Sequence, residues 1–263
     1  MDLGLAGKSA VVTGGSKGTG LAIVRTLVAE GMRVVAASRR ATPELKETGA
    51  AHVAVDLTTA EGGGELVERA AAELGGIDLL VNNVGIGDTD DLVQGALLDL
   101  RELPDSAWRQ TFDLHFYSAL RVTRAALPHL IERQGVVVNV SSSGARVVSA
   151  GPAHYNVAKA ALNALTKVTA EQFGDRGVRA ITISPGPILT GVWTDPEGFI
   201  GRMAREQGLT HEDFVERMTD SLGASTGRIS TPEEVARLVA FAASPNNVNG
   251  AEFLVDGGIV KHL

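Results

Sequence analysis

The regular alternation of short apolar runs with longer helical patterns is the feature of this chain that most restricts its fold. The apolar runs are rich in β-branched residues and nearly all apolar, which is typical of parallel strands buried on both faces. Strands and helices in this order predict right-handed crossovers and a doubly wound parallel sheet, an α/β fold of the Rossmann type. The seven predicted strands cover residues 9–14, 33–38, 51–56, 77–83, 135–142, 178–184 and 251–257.

All 263 residues are predicted to form a single domain, because no linker or change in composition divides the pattern. The exception to the pattern is segment 186–230, which follows the sixth strand and is too long for a plain connection. We expect this segment to form a small substrate-binding lid. Phe214, Met218 and Leu222 recur at every fourth position in it, and we expect this apolar stripe to pack the segment onto the body of the domain.

Composition and charge exclude several classes of function. A formal net charge of −7 and an isoelectric point near 5.4 argue against nucleic acid or an anionic membrane as the main partner. The chain has no cysteine, which excludes disulfides and thiolate metal sites, and we predict no metal site of another kind. Neither a secretory signal nor an apolar run of about 18 residues occurs, so we expect a cytoplasmic protein.

Three glycines, Gly14, Gly18 and Gly20, lie between the first predicted strand and the first predicted helix. Glycines at this place permit a tight turn and let backbone N–H groups approach a pyrophosphate at the helix N-terminus. The pattern therefore predicts a dinucleotide-binding loop, and a glycine-rich turn without a ligand is the alternative.

The end of the second predicted strand indicates which dinucleotide binds. In dinucleotide-binding folds this strand end meets the adenosine ribose, and here it carries Ser38, Arg39 and Arg40 without a carboxylate. A guanidinium suits a 2′-phosphate, which a carboxylate would repel. Lys17 in the glycine loop adds another positive charge. The sequence favours NADP(H), with NAD(H) still possible and solvated surface cations as the alternative interpretation.

Tyr155 and Lys159 are four residues apart in a predicted helix over 153–173, so their side chains face one site. A free phenol titrates near 10, and a neighbouring ammonium is expected to lower its pKa by about 1–3 units. The phenol would then exchange a proton with a substrate oxygen while a hydride is transferred. The hydroxyls of 141–143, which end the preceding predicted strand, are placed to steady that oxygen.

Together these segments resemble the short-chain dehydrogenase/reductase family over essentially the whole chain. The family's motifs occur in order as TGGSKGTG (13–20), VDL (55–57), NNVG (82–85), YNVAK (155–159), PGPILT (185–190) and DGG (256–258).

The resemblance implies specific roles for the matching residues. Ser142, thirteen residues before Tyr155, would position the carbonyl, and Tyr155 would be the acid/base. Lys159 would hold the nicotinamide ribose and tune Tyr155. Asn83 would brace the cofactor and Thr190 would bond the carboxamide. The predicted cofactor-binding residues are Gly14, Ser16, Lys17, Gly18, Thr19, Gly20, Ser38, Arg39, Arg40, Asp56, Leu57, Asn83, Val84, Gly85, Tyr155, Lys159, Pro185, Gly186, Ile188 and Thr190.

One position departs from the family pattern. His115 stands where family members usually carry an Asn that holds a water of the proton relay. Imidazole is larger than the amide, and with an ordinary pKa near 6.5 it can itself titrate. We expect His115 still to support catalysis, because part of the relay contact in the family is made by the main chain; a weakened relay or simple packing are the alternatives.

The predicted function is that of an NADPH-dependent carbonyl reductase. An alcohol dehydrogenase working in the oxidative direction and a non-catalytic nucleotide-binding sensor are the alternatives, although such sensors usually lose the Tyr or the Lys. The expected substrate is a largely apolar ketone or 3-oxoacyl group, and the resemblance implies a homotetramer or homodimer. The predicted apolar pocket wall comprises Ile188, Leu189, Val192, Trp193, Phe199 and Met203.

Overall fold

The computed structural model describes residues 2–85, 99–147 and 151–261. Within these residues, seven parallel strands form one sheet in the order β3-β2-β1-β4-β5-β6-β7, which confirms the predicted doubly wound fold. The strands are Ser9–Thr13 (β1), Arg33–Ser38 (β2), Ala51–Ala54 (β3), Leu79–Asn82 (β4), Val136–Val140 (β5), Arg179–Pro185 (β6) and Glu252–Val255 (β7).

Helices connect the strands and cover both faces of the sheet. None of the helices in the described ranges has the length and apolar character that a membrane span requires. The α-helices are Gly18–Ala29 (α1), Pro43–Lys46 (α2), Gly62–Leu74 (α3), Asp105–Phe112 (α4), Ser118–Arg133 (α5), Ala153–Phe173 (α6), Gly191–Thr194 (α7), Phe199–Glu206 (α8), His211–Ser221 (α9) and Pro232–Ala243 (α10).

The nearly all-apolar strands are explained by two hydrophobic cores, one on each face of the sheet. Val12 belongs to the core shared with α1 and α10, whereas its neighbour Val11 belongs to the core shared with α3 and α5. Successive side chains of a strand point to opposite faces, so a strand covered on both sides is apolar at most positions. Because helices cover both faces of the sheet, we expect a ligand to bind at the carboxyl edge of the sheet.

The long helical pattern between β4 and β5 is interrupted. α4 passes into a π-helical turn, Asp113–Tyr117, before α5 begins. Such turns widen the helix locally and are frequently found at functional sites. The periodicity of the sequence did not reveal this turn, which contains His115.

The segment between β6 and α10 folds into α7, α8 and α9. Phe214 of the apolar stripe is 2% exposed, but it packs with Ile200 and Ala204 in a small hydrophobic cluster of the segment's own. Met218 packs against the same cluster. Phe214 and Met218 therefore hold the helices of the segment together, where packing onto the body of the domain was expected, and the packing of Leu222 stays a prediction.

Candidate active site

Steric constraints explain why the three glycines that were singled out in the sequence cannot be replaced by larger residues. Gly14 and Gly18 have φ angles of +66° and +54°, in the left-handed region that favours glycine. Gly20 has no room for a side chain, since a Cβ there would lie 2.1 Å from the carbonyl oxygen of Gly14. The backbone of the loop therefore folds tightly against the start of α1, as a pyrophosphate-binding loop requires.

The N-terminus of α1 fits a bound phosphate group. The residue that precedes the helix, Lys17, makes no side-chain capping bond to the first turn. The first N–H groups of a helix lack intrahelical partners, and together with the helix dipole they favour an anion. The residues present thus fit the pyrophosphate of a dinucleotide.

Asn83 braces the glycine loop from the neighbouring strand β4. Its side-chain amide donates to the carbonyl oxygens of Thr13 (3.1 Å) and Gly14 (3.3 Å), and its backbone N–H donates to Thr13 Oγ1 (2.9 Å). The same hydroxyl oxygen accepts from the Val84 N–H at 3.2 Å. Thr13 was not singled out from the sequence, although it is the first residue of the glycine motif.

Arg39 and Arg40 lie in an exposed turn that directly follows β2. Two hydrogen bonds hold this turn. Ser38 Oγ donates to the carbonyl oxygen of Arg40 at 2.8 Å, and Thr42 Oγ1 donates to that of Ser16, in the glycine loop, also at 2.8 Å. The two guanidinium-bearing residues are therefore fixed beside the predicted pyrophosphate site, and Thr42 is a contributor that the sequence reasoning missed.

The VDL segment follows β3 at the same edge of the sheet. Asp56 accepts hydrogen bonds from the side chain and backbone of Thr58, which lower the pKa of its carboxyl; the charge of Arg39 acts in the same direction. Leu57 is 6% exposed and packs in the core beside α3. That Leu57 contacts the cofactor, as the family resemblance implies, stays a prediction.

The PGPILT segment returns to the glycine loop. A Cβ on Gly18 would lie 3.3 Å from Thr190 Cγ2, so the two segments are in close contact. Pro185 ends β6, and Gly186 follows it with its N–H bonded to the sheet. Ile188 packs against the core shared with α1 and α10. The structure thus brings Thr190 against the glycine loop, and its bond to a nicotinamide carboxamide stays a prediction.

Ser142, Tyr155 and Lys159 meet where β5 ends and α6 begins. α6 has the predicted bounds, Ala153–Phe173. The Ser142 side chain hydrogen-bonds Tyr155, and Lys159 Nζ donates to the carbonyl oxygen of Val140 at 2.9 Å. Lys159 Nζ lies 5.8 Å from the centre of the Tyr155 ring. The geometry brings the three residues together at the carboxyl edge of the sheet.

The effect of Lys159 on Tyr155 differs from the expectation. Burial raises the pKa of Tyr155 above its usual value of 10.0, and the hydrogen bond from Ser142 opposes that rise only in part. Burial also lowers the pKa of Lys159 from 10.5 to about 8. The structure therefore does not show the expected lowering of the phenol's pKa by the ammonium, because loss of solvent is the largest influence on this hydroxyl.

His115 contacts Tyr155, but its burial and its lowered pKa were not predicted from the sequence. The side chain is 2% exposed, and its ring meets that of Tyr155 edge-on with 5.1 Å between centroids. Its pKa is held well below 6.5, first by burial and then by the charges of Lys159 and His154. The expectation of an imidazole that titrates near neutrality is wrong, because a cation at this place would be both desolvated and repelled.

A buried polar chain beneath the site was also missed. The Asn82 amide donates to Asn139 Oδ1 at 2.8 Å, and the Asn139 amide donates to Thr166 Oγ1 of α6 at 2.8 Å. Thr182 Oγ1 donates to the same threonine at 2.8 Å. These bonds fix α6 over β4, β5 and β6. Polar residues within apolar strands were the signal, since buried polar groups must find partners.

The predicted apolar pocket wall divides in the structure. Val192, Trp193 and Met203 pack into the cluster formed by α8 and α9, whereas Leu189 is 38% exposed. Three of the six predicted wall residues therefore stabilise the segment itself, Ile188 packs against the main core, and the side chain of Phe199 lies outside the described part of the structure. Among the described residues, no group of three or more His, Asp or Glu side chains is arranged to hold a metal ion.

Replacing Lys159 with Met is expected to raise the free energy of unfolding by about 2 kcal/mol at pH 7. The shift of the pKa from 10.5 to about 8 corresponds to about 3 kcal/mol, and the lost bond to Val140 offsets about 1 kcal/mol. Below pH 8 both the folded and unfolded wild-type chains hold the proton, so the full cost applies. Between pH 8 and about 10.5 the unfolded wild-type chain holds more protons than the folded one, so the stability of the wild type rises with pH. The difference in free energy of unfolding between the variant and the wild type therefore becomes smaller. Denaturant titrations at pH 7 and pH 9.5 measure this; a variant less stable than wild type at pH 7 would contradict it.

The fold and the glycine loop define a dinucleotide-binding α/β protein, and comparison with known proteins is more specific. The family model for enoyl-(acyl carrier protein) reductase matches residues 14–260. A 3β-hydroxysteroid dehydrogenase 2 of Eggerthella lenta is 32% identical over 97% of this chain and 95% of that protein. The 3-oxoacyl-(acyl carrier protein) reductase of Vibrio cholerae is 30% identical over 98% and 99%.

A solved structure agrees with these relatives. The L-sorbose reductase of Gluconobacter frateurii, in complex with NADPH and L-sorbose, superposes with a TM-score of 0.89 at 32% identity, covering 100% of both chains. The chain belongs to the short-chain dehydrogenase/reductase family. It is an oxidoreductase that acts on CH–OH groups with a nicotinamide cofactor.

Proposed function

We propose that the protein is an NADPH-dependent carbonyl reductase that uses Tyr155 as its proton donor. The observation that carries this proposal is the meeting of Ser142, Tyr155 and Lys159 at the carboxyl edge of the sheet, with Lys159 Nζ 5.8 Å from the centre of the tyrosine ring. Loss of solvent raises the pKa of the Tyr155 hydroxyl from its usual value, which favours the protonated form of the group. Reduction of a carbonyl needs a proton donor at this place, and we therefore propose reduction as the direction of the reaction.

The residues of the chain supply everything but the hydride. A bound NADPH would supply the hydride for the carbonyl carbon. Tyr155 gives its proton to the carbonyl oxygen, and the Ser142 hydroxyl orients that oxygen. Lys159, 5.8 Å from the tyrosine ring, offsets the negative charge that develops on the phenol and holds the nicotinamide ribose. Neutral His115 supports the Tyr155 ring by its edge contact.

The preference for NADPH rests on the exposed turn after β2. Arg39 and Arg40 follow the strand that meets the adenosine ribose in such folds, and residues 38–42 at the strand end include no carboxylate. Bonds from Ser38 and Thr42 hold the turn in place. Guanidinium groups pair with a 2′-phosphate through charge-assisted hydrogen bonds. The NADPH complex of the sorbose reductase, which is similar to this chain, supports the same choice.

The substrate that we propose is a largely apolar ketone or a 3-oxoacyl group, covered by segment 186–230 as a lid. Relatives of the chain include a hydroxysteroid dehydrogenase and a 3-oxoacyl-(acyl carrier protein) reductase. We further propose a cytoplasmic homotetramer or homodimer. Phe241 of α10 and Leu254 of the edge strand β7 are 41% and 40% exposed, and they offer apolar surface for a second copy.

The test is the oxidation of NADPH and of NADH by the purified protein with a panel of aliphatic, steroid and 3-oxoacyl ketones, together with the reverse reaction on the matching alcohols. We expect ketone-dependent oxidation of NADPH at neutral pH. NADH preferred by about tenfold would overturn the cofactor assignment. Turnover only of alcohols would indicate the oxidative enzyme, and tight NADPH binding without any turnover would indicate a sensor.

A further inference from the structure

One carboxylate on the edge strand of the sheet joins three segments of the site. Glu252 of β7 accepts hydrogen bonds through Oε1 from Ser184 Oγ (2.6 Å) and Asn163 Nδ2 (3.1 Å). Through Oε2 it accepts from Arg146 Nε (2.9 Å) and Nη2 (2.5 Å). Its side chain is only 13% exposed, so these donors replace most of its water.

The donors come from three segments that carry predicted site residues. Asn163 lies one helical turn after Lys159 on α6, and Ser184 immediately precedes the PGPILT segment. Arg146 lies four residues after Ser142. None of the sequence motifs contains Arg146 or Glu252, and no step of the mechanism described above uses them.

The connection from Arg146 to Ser142 is short and stiff. Ser142 Oγ accepts from the Gly144 N–H at 3.1 Å and caps a 3₁₀ turn, Ser143–Ala145. The Arg146 N–H closes this turn on the Ser143 carbonyl oxygen at 2.8 Å. A shift of the Arg146 backbone would therefore turn the Ser142 hydroxyl away from Tyr155.

We propose that Arg146 and Glu252 are positioning residues, which fix the Ser142 turn against α6 and hold its hydroxyl in register with Tyr155. This inference rests on the proposed role of Ser142 in carbonyl reduction. An exposed ion pair is typically worth little, but two guanidinium N–H groups that donate to one oxygen of a mostly buried carboxylate set geometry as well as energy. A displacement of about 1 Å at a reacting group can lower the rate by about 100-fold.

The test is a double-mutant cycle of kcat for ketone reduction with NADPH. We expect Arg146→Ala to lower kcat by about tenfold while the KM for NADPH changes by less than about twofold, because the cofactor site is untouched. Arg146→Lys keeps the charge but cannot donate two N–H groups in the same way. Its kcat should lie between that of the wild type and that of Arg146→Ala. In the background of Ser142→Ala, Arg146→Ala should have almost no further effect, because the residue acts through Ser142.

The chain offers a control in Arg69 of α3, which pairs with a glutamate, Glu65, at 3.0 Å and lies outside the proposed site and the lid. Arg69→Ala should lower stability slightly and leave kcat unchanged. The inference would be overturned if Arg146→Ala and Glu252→Gln both kept the kcat of the wild type while their thermal unfolding curves showed that they are folded. The inference would also be overturned if the factors by which Arg146→Ala and Ser142→Ala lower kcat multiplied in the double variant, because Arg146 would then have a merely structural role. A wild-type protein without ketone turnover would instead overturn the proposed function, and the inference with it.

Discussion

Tyr155→Phe is expected to lower kcat/KM for ketone reduction by about 1000-fold, because it removes the proton donor and leaves the rest of the site in place. A positioned general acid typically contributes about 100- to 10,000-fold. Phenylalanine preserves the edge contact with the His115 ring, so the fold and the NADPH affinity should change little. Steady-state kinetics with the best ketone, alongside NADPH titration calorimetry, measure both quantities.

The second tyrosine of the chain is the matched control for this variant. Tyr117 is 41% exposed and lies in the same π-helical turn as His115. Tyr117→Phe removes the same atom from outside the proposed site, so its kcat/KM should stay within about twofold of wild type. A Tyr155→Phe enzyme that retained more than about a tenth of wild-type activity would refute the proposed mechanism.

Replacing both Arg39 and Arg40 with Ala is expected to lower kcat/KM for NADPH by about 100-fold and to leave that for NADH nearly unchanged. Each charge-assisted bond to a phosphate is worth about 1.5–3 kcal/mol, or roughly ten- to hundredfold in binding. NADH lacks the 2′-phosphate and loses none of these bonds. The measurement is the ratio of kcat/KM for the two cofactors with one ketone.

A control pair of equal charge separates this local effect from a general one. Arg124 of α5 and Arg237 of α10 are exposed arginines outside the predicted cofactor site. Replacing both with Ala changes the net charge by the same amount and should leave the cofactor ratio unaltered. If the Arg39/Arg40 variant lost activity with both cofactors equally, the turn would support the fold rather than recognise the 2′-phosphate.

The conformation of the Arg39–Arg40 turn illustrates what sequence can supply for a site. The residue types at the end of β2 predicted the cofactor chemistry. The bonds that hold the turn, from Thr42 Oγ1 to Ser16 and from Ser38 Oγ to Arg40, join residues whose partners no pattern identifies. Thr42 belongs to a loop that is remote in sequence from the glycines, and only the packing of β1 against β2 brings the two together.

The π-helical turn around His115 shows a second limit. A helical repeat of hydrophobicity averages over several turns, so one extra residue in a turn leaves the pattern nearly unchanged. The position of His115 was predicted, but its burial was not. Because burial decides whether an imidazole carries a charge, its neutral state could be assigned only once its neighbours Lys159 and His154 were placed.

The sequence by itself determined the doubly wound fold, the bounds of α6, the need for glycine in the loop after β1 and the family of the chain. These features depend on short-range patterns: strand and helix periodicity, and residue types at fixed spacing. The tertiary structure alone decided the direction of the pKa shifts of Tyr155 and Lys159, the internal packing of the lid helices, and the joining of Arg146 to Glu252, 106 residues apart. Each of these depends on how much water is excluded and on which distant groups come into contact, and no local spacing encodes either quantity.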